Sequence, residues 1–451
     1  MSASVELALH RFGLGARPGD AAKLGDPVKW LAAQTSNVKE PDGFDRFPGP
    51  TEIIRNAPER DDLAGDAAAR KDYAQKIREG ARAAIGARMR AAFVTDMPFH
   101  ERLVWFWSNH LAVAMVAKLR VMPFVFDYER TAIRPNVIGK FEDLLIASAR
   151  HPAMLLYLDN ATSAGPGSKA GQRRDQGLNE NYARELMELH TLGAGSGYTQ
   201  ADIIELAKIL SGWTVLPKRF QDRAGTGTAF IFAPQRHEPG RKTLLGVTYD
   251  EGEAAGVAAI RMLARHPATA KRLSHKFAAH FTSDTPDPRL VSHLEGVWRN
   301  TDGDLGELAR GLIAHDAAWT PALTKARDPI QFVTAAVRAT AGGSAGQLKP
   351  EAELALLGTL RTLGQLPFEA PSPQGWPDTA NAWFGPDQVV ERAEWALTLA
   401  SRVTVAIDPV KLAADLFGSL LSDTTRIAIS RAPSPQEGLA MLIASPEFMR
   451  R

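Results

Sequence analysis

The sequence predicts a mainly α protein: a large multi-helix, bundle-like domain with one small β-hairpin inserted around residues 228–249. Three observations lead there. Helix start and stop signals recur, most clearly from Asn179 to Thr214, where Asn179 offers an N-cap, Gly193 a stop, Thr199 with Asp202 a second start and Gly212 a second stop. Helical periodicity then fills the chain from Glu253 onward. The β-prone runs Thr228–Phe232 and Lys242–Tyr249 stand alone, separated by APQRHEPGR.

Taken in order, residues 4–12 form a short apolar helix followed by GLGARPG. Its glycines have the wrong spacing for a dinucleotide fingerprint and follow no strand, so the segment reads as a structural loop. Val28–Gln34 is a second short helix, with Pro27 suited to its first turn, and 40–58 is a Pro-rich connection. A long helix over about Ala64–Val94 mixes Arg70, Lys76, Arg82 and Arg88 with Asp66, Asp72 and Glu79. Without aromatic interleaving it reads as a solvated helix rather than a phosphate-binding one.

Pro98 opens PFHERLVWFWSNHLAVA. On a helical wheel Glu101, Arg102, Trp105, Ser108 and Asn109 share one arc, and Leu103, Val104, Phe106, Trp107, His110 and Leu111 the other. A tryptophan beside a carboxylate and an amide suits stacking on a sugar ring while polar groups hold hydroxyls. His100 and His110 fall on or beside the apolar arc and read as core histidines. The zincin pattern begun by His100 and Glu101 fails because Val104 stands where the second histidine is needed.

Phe126–Arg150 and HPAMLLYLDN are further helices, the latter ended by Asp159 and Asn160, and 161–177 is a Gly/Ser-rich loop of the kind that borders a site. His237 sits between the two β-prone runs as an exposed acid, base or donor. Gly342, Gly343 and Gly346 mark an internal boundary. They divide a main helical core, 1–341 with a β-flap at 215–250, from a helical part at 347–451 that packs on it as one continuous unit. Within the latter, LGQLPFEAPSPQGWPDTANAW brings Trp376 and Trp383 onto a loop.

Composition narrows the function. The chain of 451 residues is 45% hydrophobic and 23% charged, ordinary for a folded protein with a large core. Fifty-three basic against 51 acidic residues give a net charge of +2, which speaks against nucleic acid as a partner. With no cysteine there is no disulfide, thiolate metal site or cysteine nucleophile. No apolar run is long enough to span a membrane, and no signal segment is recognisable, so the expectation is cytoplasmic. Nucleophile elbow, Walker loop, EF-hand and Rossmann fingerprint are all missing, and the sequence calls for no cofactor and no metal.

The chemistry concentrates in NENYARELMELHTLG. A helix from about Glu180 to Leu192 places Glu180, Asn181, Arg184, Glu185, Glu188 and Thr191 within an arc of roughly 140°, with Tyr182, Leu186, Met187 and His190 opposite. A solvated charge ladder competes with this reading, since Arg184 lies four residues from both Glu180 and Glu188.

LHRFGLGARP, ERLVWFWSNHLAV, HPAMLLYLDN, NENYARELMELHTLG with GYTQADI and GWT, HEPGRKTLLG, HPATAKRLSHKF, LGQLPFEAPSPQGWP and the terminal ASPEFMRR follow one another across nearly the whole chain. Together they resemble the DUF1800 family of bacterial proteins, to which no function is assigned. The resemblance implies a largely helical fold, frequent export signals, and genes that neighbour those of a sulfatase-like family, DUF1501. This chain departs from the pattern in lacking a recognisable signal, in Ser108 where histidine is common, and in Glu238 where aspartate is common. Ser108 weakens any metal site on that helix. His190 stands where the family also accepts phenylalanine, in keeping with its apolar arc.

Three functions compete. The first is acid–base hydrolysis of a carbohydrate or related polyhydroxylated substrate in a helical cleft. Glu185, Glu188 and Asp159 would be catalytic, and Glu101, Trp105, Asn109, Asn160, Asn179, Asn181, Arg184, Trp213, His237 and Trp376 would bind substrate. The second is a non-enzymatic partner or scaffold of a sulfatase-like DUF1501 protein, which would also allow export to the periplasm alongside a signal-bearing partner. The third is a metal-dependent hydrolase using Glu185, Glu188, Asp159 and a histidine such as His110 or His237.

Overall fold

Aromatic side chains gather around the Pro98–His110 helix, the centre of the core in this computed structural model, which describes residues 4–36, 40–58, 66–173, 177–223, 229–320, 322–342, 346 and 349–451. Trp107 is fully buried and meets Phe141 at a ring distance of 5.5 Å. Phe106 meets Phe277 at 5.3 Å, and Phe12 meets Phe99 at 6.0 Å. Helices dominate the chain, and the only regular strands among the described residues form two small antiparallel pairs. No helix among them is long and apolar enough to cross a membrane. Ala64, Thr228, Gly343 and residue 347, where sequence features were placed, lie outside the described residues.

The wheel drawn for Pro98–His110 needs correction, because the helix is buried on its polar side as well. A polar arc need not face water when a second segment supplies the opposite charges. Here that segment is Glu129–Ile133, a π-helical turn, followed by Arg134. Arg134 donates to Glu101 at 2.6 and 3.0 Å, Arg88 to Glu129 at 2.9 Å, and Ser108 to Glu129 at 2.8 Å. Buried charges are tolerated only when paired in this way.

The β region also differs from the expected single hairpin. Lys242–Leu244 (β3) and Val247–Tyr249 (β4) do form one, closed by Leu245 and Gly246 at φ of 50° and 78°. Positive φ at both turn positions matches the twist of the flanking strands, and Asp202 accepts from the Leu245 N–H at 3.0 Å, which helps to hold the non-glycine residue there. Phe230–Phe232 (β2) instead pairs back with Trp213–Val215 (β1). The three-residue strand β1 is invisible in the sequence because GWT reads only as the end of a helix.

Trp213 is wholly buried against the Glu253–Arg265 helix, at the only kind of residue that admits it. A Cβ on Gly256 would lie 2.7 Å from Trp213 Cε2. Gly256→Ala is therefore expected to destabilise by about 1–3 kcal/mol through overpacking, although helix propensity alone would favour alanine by about 1 kcal/mol. Gly80, exposed in the Ala67–Val94 helix with no atom near its missing Cβ, provides the opposite sign: Gly80→Ala should stabilise. Urea denaturation of both variants checks the pair.

The C-terminal segment closes onto the first part of the chain. Arg451 is fully buried and donates to the His280 carbonyl at 2.7 Å, and Arg392 donates to that of Arg327 at 2.9 Å.

Candidate functional site

The NENYARELMELHTLG helix starts at Asn181, one residue later than expected, because Asn179 Oδ1 accepts from the Asn181 N–H at 2.9 Å. It is α-helical to Glu185 and then widens into a π-helical turn over Leu186–His190. Such turns are rare and often accompany function. Gly193, Gly195 and Gly197 all take positive φ, so the Gly-rich elbow is where the sequence placed it.

One of the motif's acids is already engaged at its start: Glu180 meets Arg184 at 3.4 Å and also accepts from Gln200 at 2.6 Å, while Arg184 donates to Gln200 at 2.9 Å. Asn181 is exposed, and the Asn179 N–H donates to Ser163 Oγ. Glu185 and Glu188 differ. Both are half-buried, three residues apart, and neither makes a hydrogen bond or ion pair among the described residues. Burial, with the charge of Glu188 added, pushes the Glu185 carboxyl above its ordinary value against the pull of Arg184. Burial and the negative charge of Glu185 push the Tyr157 phenol up to about 12, and burial with Glu188 raises Tyr198. Two carboxylates and two protonated phenols thus share one electrostatic neighbourhood.

Asp159, two residues after Tyr157, is ion-paired instead. It adopts a left-handed backbone (φ 62°) and pairs with Lys118 at 2.7 Å and Arg120 at 3.0 Å, while Lys118 also donates to the Leu156 and Tyr157 carbonyls. Two cations neutralise it, which suits anchoring the chain beside Tyr157.

The structure does not bring the other named residues to this site. Glu101 is buried against Arg134 and accepts from Trp105 Nε1 at 2.9 Å, so both belong to the core rather than to a ligand face. Asn160 is buried, donating to the Leu210 and Trp213 carbonyls, and Trp213 is covered as described. His237 is buried, not exposed between strands: Nδ1–H donates to the Ser211 carbonyl at 2.8 Å, and Nε2 accepts from the Gly252 N–H and from Lys242. Burial first, and then Lys242, lower its pKa against the Ser211 bond, so it stays neutral. Sequence gave no sign of this, because the burying surface comes from the remote 250–252 turn.

Asn109 and Trp376 do meet, through backbone. Asn109 Oδ1 accepts from the Trp376 N–H at 2.7 Å and Nδ2 donates to its carbonyl at 2.9 Å. Asn109→Ala should release the 371–379 loop, costing about 1–3 kcal/mol for groups left unpaired; limited proteolysis should cut that loop faster.

The widened end of the motif helix leaves carbonyls that other helices cap. Arg272 donates to Leu189 at 2.7 Å and Thr191 at 3.3 Å, and His110 Nε2 donates to His190 at 3.0 Å. Gly193 is required there: a Cβ would stand 2.7 Å from Arg272 Cδ, and φ is +92°. His110 and His190 are buried, as the wheel placed them, and both are held neutral by burial and by the cations Arg272 and Lys276. Arg272, Lys276, Tyr157 and Tyr198 were missed by sequence reading; the basic spacing in HPATAKRLSHKF was the one available signal.

Among the described residues no cluster of three or more histidines, aspartates and glutamates is arranged to hold a metal ion. His110 and His237, the histidines such a site would need, spend both ring nitrogens on protein partners. No curated protein and no solved structure matches the chain. A family model described as "Protein of unknown function (DUF1800)" matches residues 7–450, nearly all of it, and the chain belongs to the DUF1800 family.

Proposed function

We propose that the chain is a hydrolase that cleaves a carbohydrate or related polyhydroxylated substrate by acid–base chemistry at Glu185 and Glu188. The observation that carries this reading is a pair of neighbouring half-buried carboxyls, neither ion-paired among the described residues, of which Glu185 is pushed toward its protonated form by burial and by Glu188. A carboxyl held toward its protonated form beside a second carboxyl suits the acid role. Glu185 donates its proton to the leaving-group oxygen, and Glu188 takes a proton from water or attacks the sugar carbon. Tyr157 and Tyr198 remain protonated at neutral pH, and half-buried Tyr198 offers a donor and a ring face to a hydroxylated ring. A panel of aryl glycosides and neutral and acidic polysaccharides tests this. Wild type should release reducing ends from at least one, and Glu188→Gln should lose about 10²- to 10⁴-fold of that rate; an unchanged rate in the variant overturns the assignment.

A second reading, that the chain is a non-enzymatic partner of a sulfatase-like DUF1501 protein exported with it, has one feature in its favour. The Pro350–Thr362 and Pro386–Arg402 helices border an apolar groove lined by Leu356, Trp395, Leu399 and Val405, with Val405 70% exposed and Leu354 and Leu397 exposed beside it. Exposed apolar surface of this kind marks interaction sites. Co-purification from the native host that returns no DUF1501 protein would count against it.

A further inference from the structure

Beside the motif helix runs a cleft of about 560 Å³ between the Pro267–Phe281 helix and the 371–379 loop. Its charges do not balance locally. The two carboxylates on its wall are already engaged: Asp284 pairs with Lys325 at 2.7 Å and accepts from the Ala380 N–H, and Asp378 pairs with His280 at 3.0 Å, with Lys325 and Arg451 further off at 3.5 and 3.9 Å. Arg272 and Lys276, one helical turn apart on the opposite wall, hydrogen-bond only neutral partners among the described residues. Arg272 donates through Nη1 alone, to the Leu189 and Thr191 carbonyls, and Lys276 donates to His110 Nδ1 at 3.1 Å. Glu188 lies within electrostatic reach of Arg272 and Asp378 of Lys276, without an ion pair in either case.

Both cations are held in place by the same structure. Arg272 is fixed by two carbonyls of the widened helix end and by the missing side chain of Gly193. Lys276 is fixed through His110, whose other nitrogen is bound to the His190 carbonyl. Trp376, on the cleft's loop wall, adds an indole N–H that is buried without an acceptor among the described residues. Buried donors without partners are uncommon in folded proteins. Fixed cations lining a cleft, with spare donors and no carboxylate ion-paired to them among the described residues, form an oxyanion site.

We infer that this cleft binds an oxyanion, a carboxylate or a sulfate ester, between Arg272 and Lys276 against the Trp376 loop. The inference stands whether or not Glu185 and Glu188 catalyse hydrolysis. Lys276, with its pKa lowered to about 8 by burial and by Arg272, is a cation at neutral pH and loses its charge in mild alkali. The other charged or titratable groups facing it are Arg272 and His275 from its own helix, His110 and His190 from the helices behind, and Asp284, Lys325 and Asp378 from across the cleft.

The test is an NMR titration of the full chain with D-glucuronate, inorganic sulfate and, as the neutral control, D-glucose. Glucuronate or sulfate should bind saturably at pH 6.5, whichever binds more tightly identifying the anion class, and glucose should not compete. Lys276→Gln, which keeps a donor for His110, should weaken binding tenfold or more, and raising the pH to 9.5 should weaken wild type similarly. Arg272→Gln removes helix caps, so its melting temperature is measured alongside. The inference is overturned if neither anion binds wild type, or if Lys276→Gln, folded by its spectrum, binds as tightly as wild type.

Discussion

Glu101→Ala is expected to lower the stability of the chain by about 3–5 kcal/mol, because it leaves Arg134 charged and buried without its main partner. Against a typical total of about 5–15 kcal/mol this is a large fraction. The loss spreads beyond one pair. Glu101 also accepts from Trp105 Nε1, Arg134 lies 3.6 Å from Glu129, and Arg88 bonds Glu129 while stacking on Trp105 at 5.0 Å. Burial raises the Glu101 carboxyl, but Arg134, by charge and hydrogen bond, brings it below its ordinary value. The folded state therefore holds this carboxylate's proton less tightly than the unfolded chain does. Its contribution is present above about 4.5, the ordinary value, and is lost as pH falls through the lowered one. Chemical denaturation of wild type and variant at neutral and acidic pH checks both statements. A stable Glu101→Ala variant with altered ligand binding would restore the substrate-facing role that the sequence suggested.

Glu185→Gln is expected to move stability and activity in opposite directions. The folded chain raises the Glu185 carboxyl, so it binds that proton more tightly than the unfolded chain, and the stability linked to it declines as pH climbs from about 4.5 through the raised value. Above that range the carboxyl costs the fold stability, whether it keeps its proton or loses it. Glutamine removes it at nearly constant shape, so melting temperature at pH 7 should rise slightly while hydrolysis falls by about 10²- to 10⁴-fold. Gains in stability on removal of an active-site group are a known trade-off. A variant that is both less stable and fully active would show that Glu185 is a structural carboxyl.

The mainly helical class, the Gly-rich elbow and the burial of His110 and His190 were legible in sequence because each rests on local rules: caps, positive-φ glycines and helical period. Where the reading went astray, the deciding partner was remote. The polar arc of Pro98–His110 looks ligand-facing in sequence because Arg134, 33 residues away from Glu101, supplies its charge. His237 looked exposed because Ser211 and Gly252, from two other segments, enclose it. The π-helical turn at Leu186–His190 broke the 3.6-residue period on which the wheel depends, and it is this turn that offers carbonyls to Arg272 and His110. Of the proposed catalytic residues, Glu185 and Glu188 lie within electrostatic reach of each other, while Asp159 is held by Lys118 and Arg120, which no motif announced.

The most direct test of the account is the rate of reducing-end release by wild type and Glu185→Gln, measured at pH 7 on the same polyhydroxylated substrate, with circular dichroism confirming that both are folded. Turnover by wild type and a loss of about 10²- to 10⁴-fold in the variant are expected. No turnover by wild type on any substrate of the panel, or equal rates for the two proteins, would contradict it.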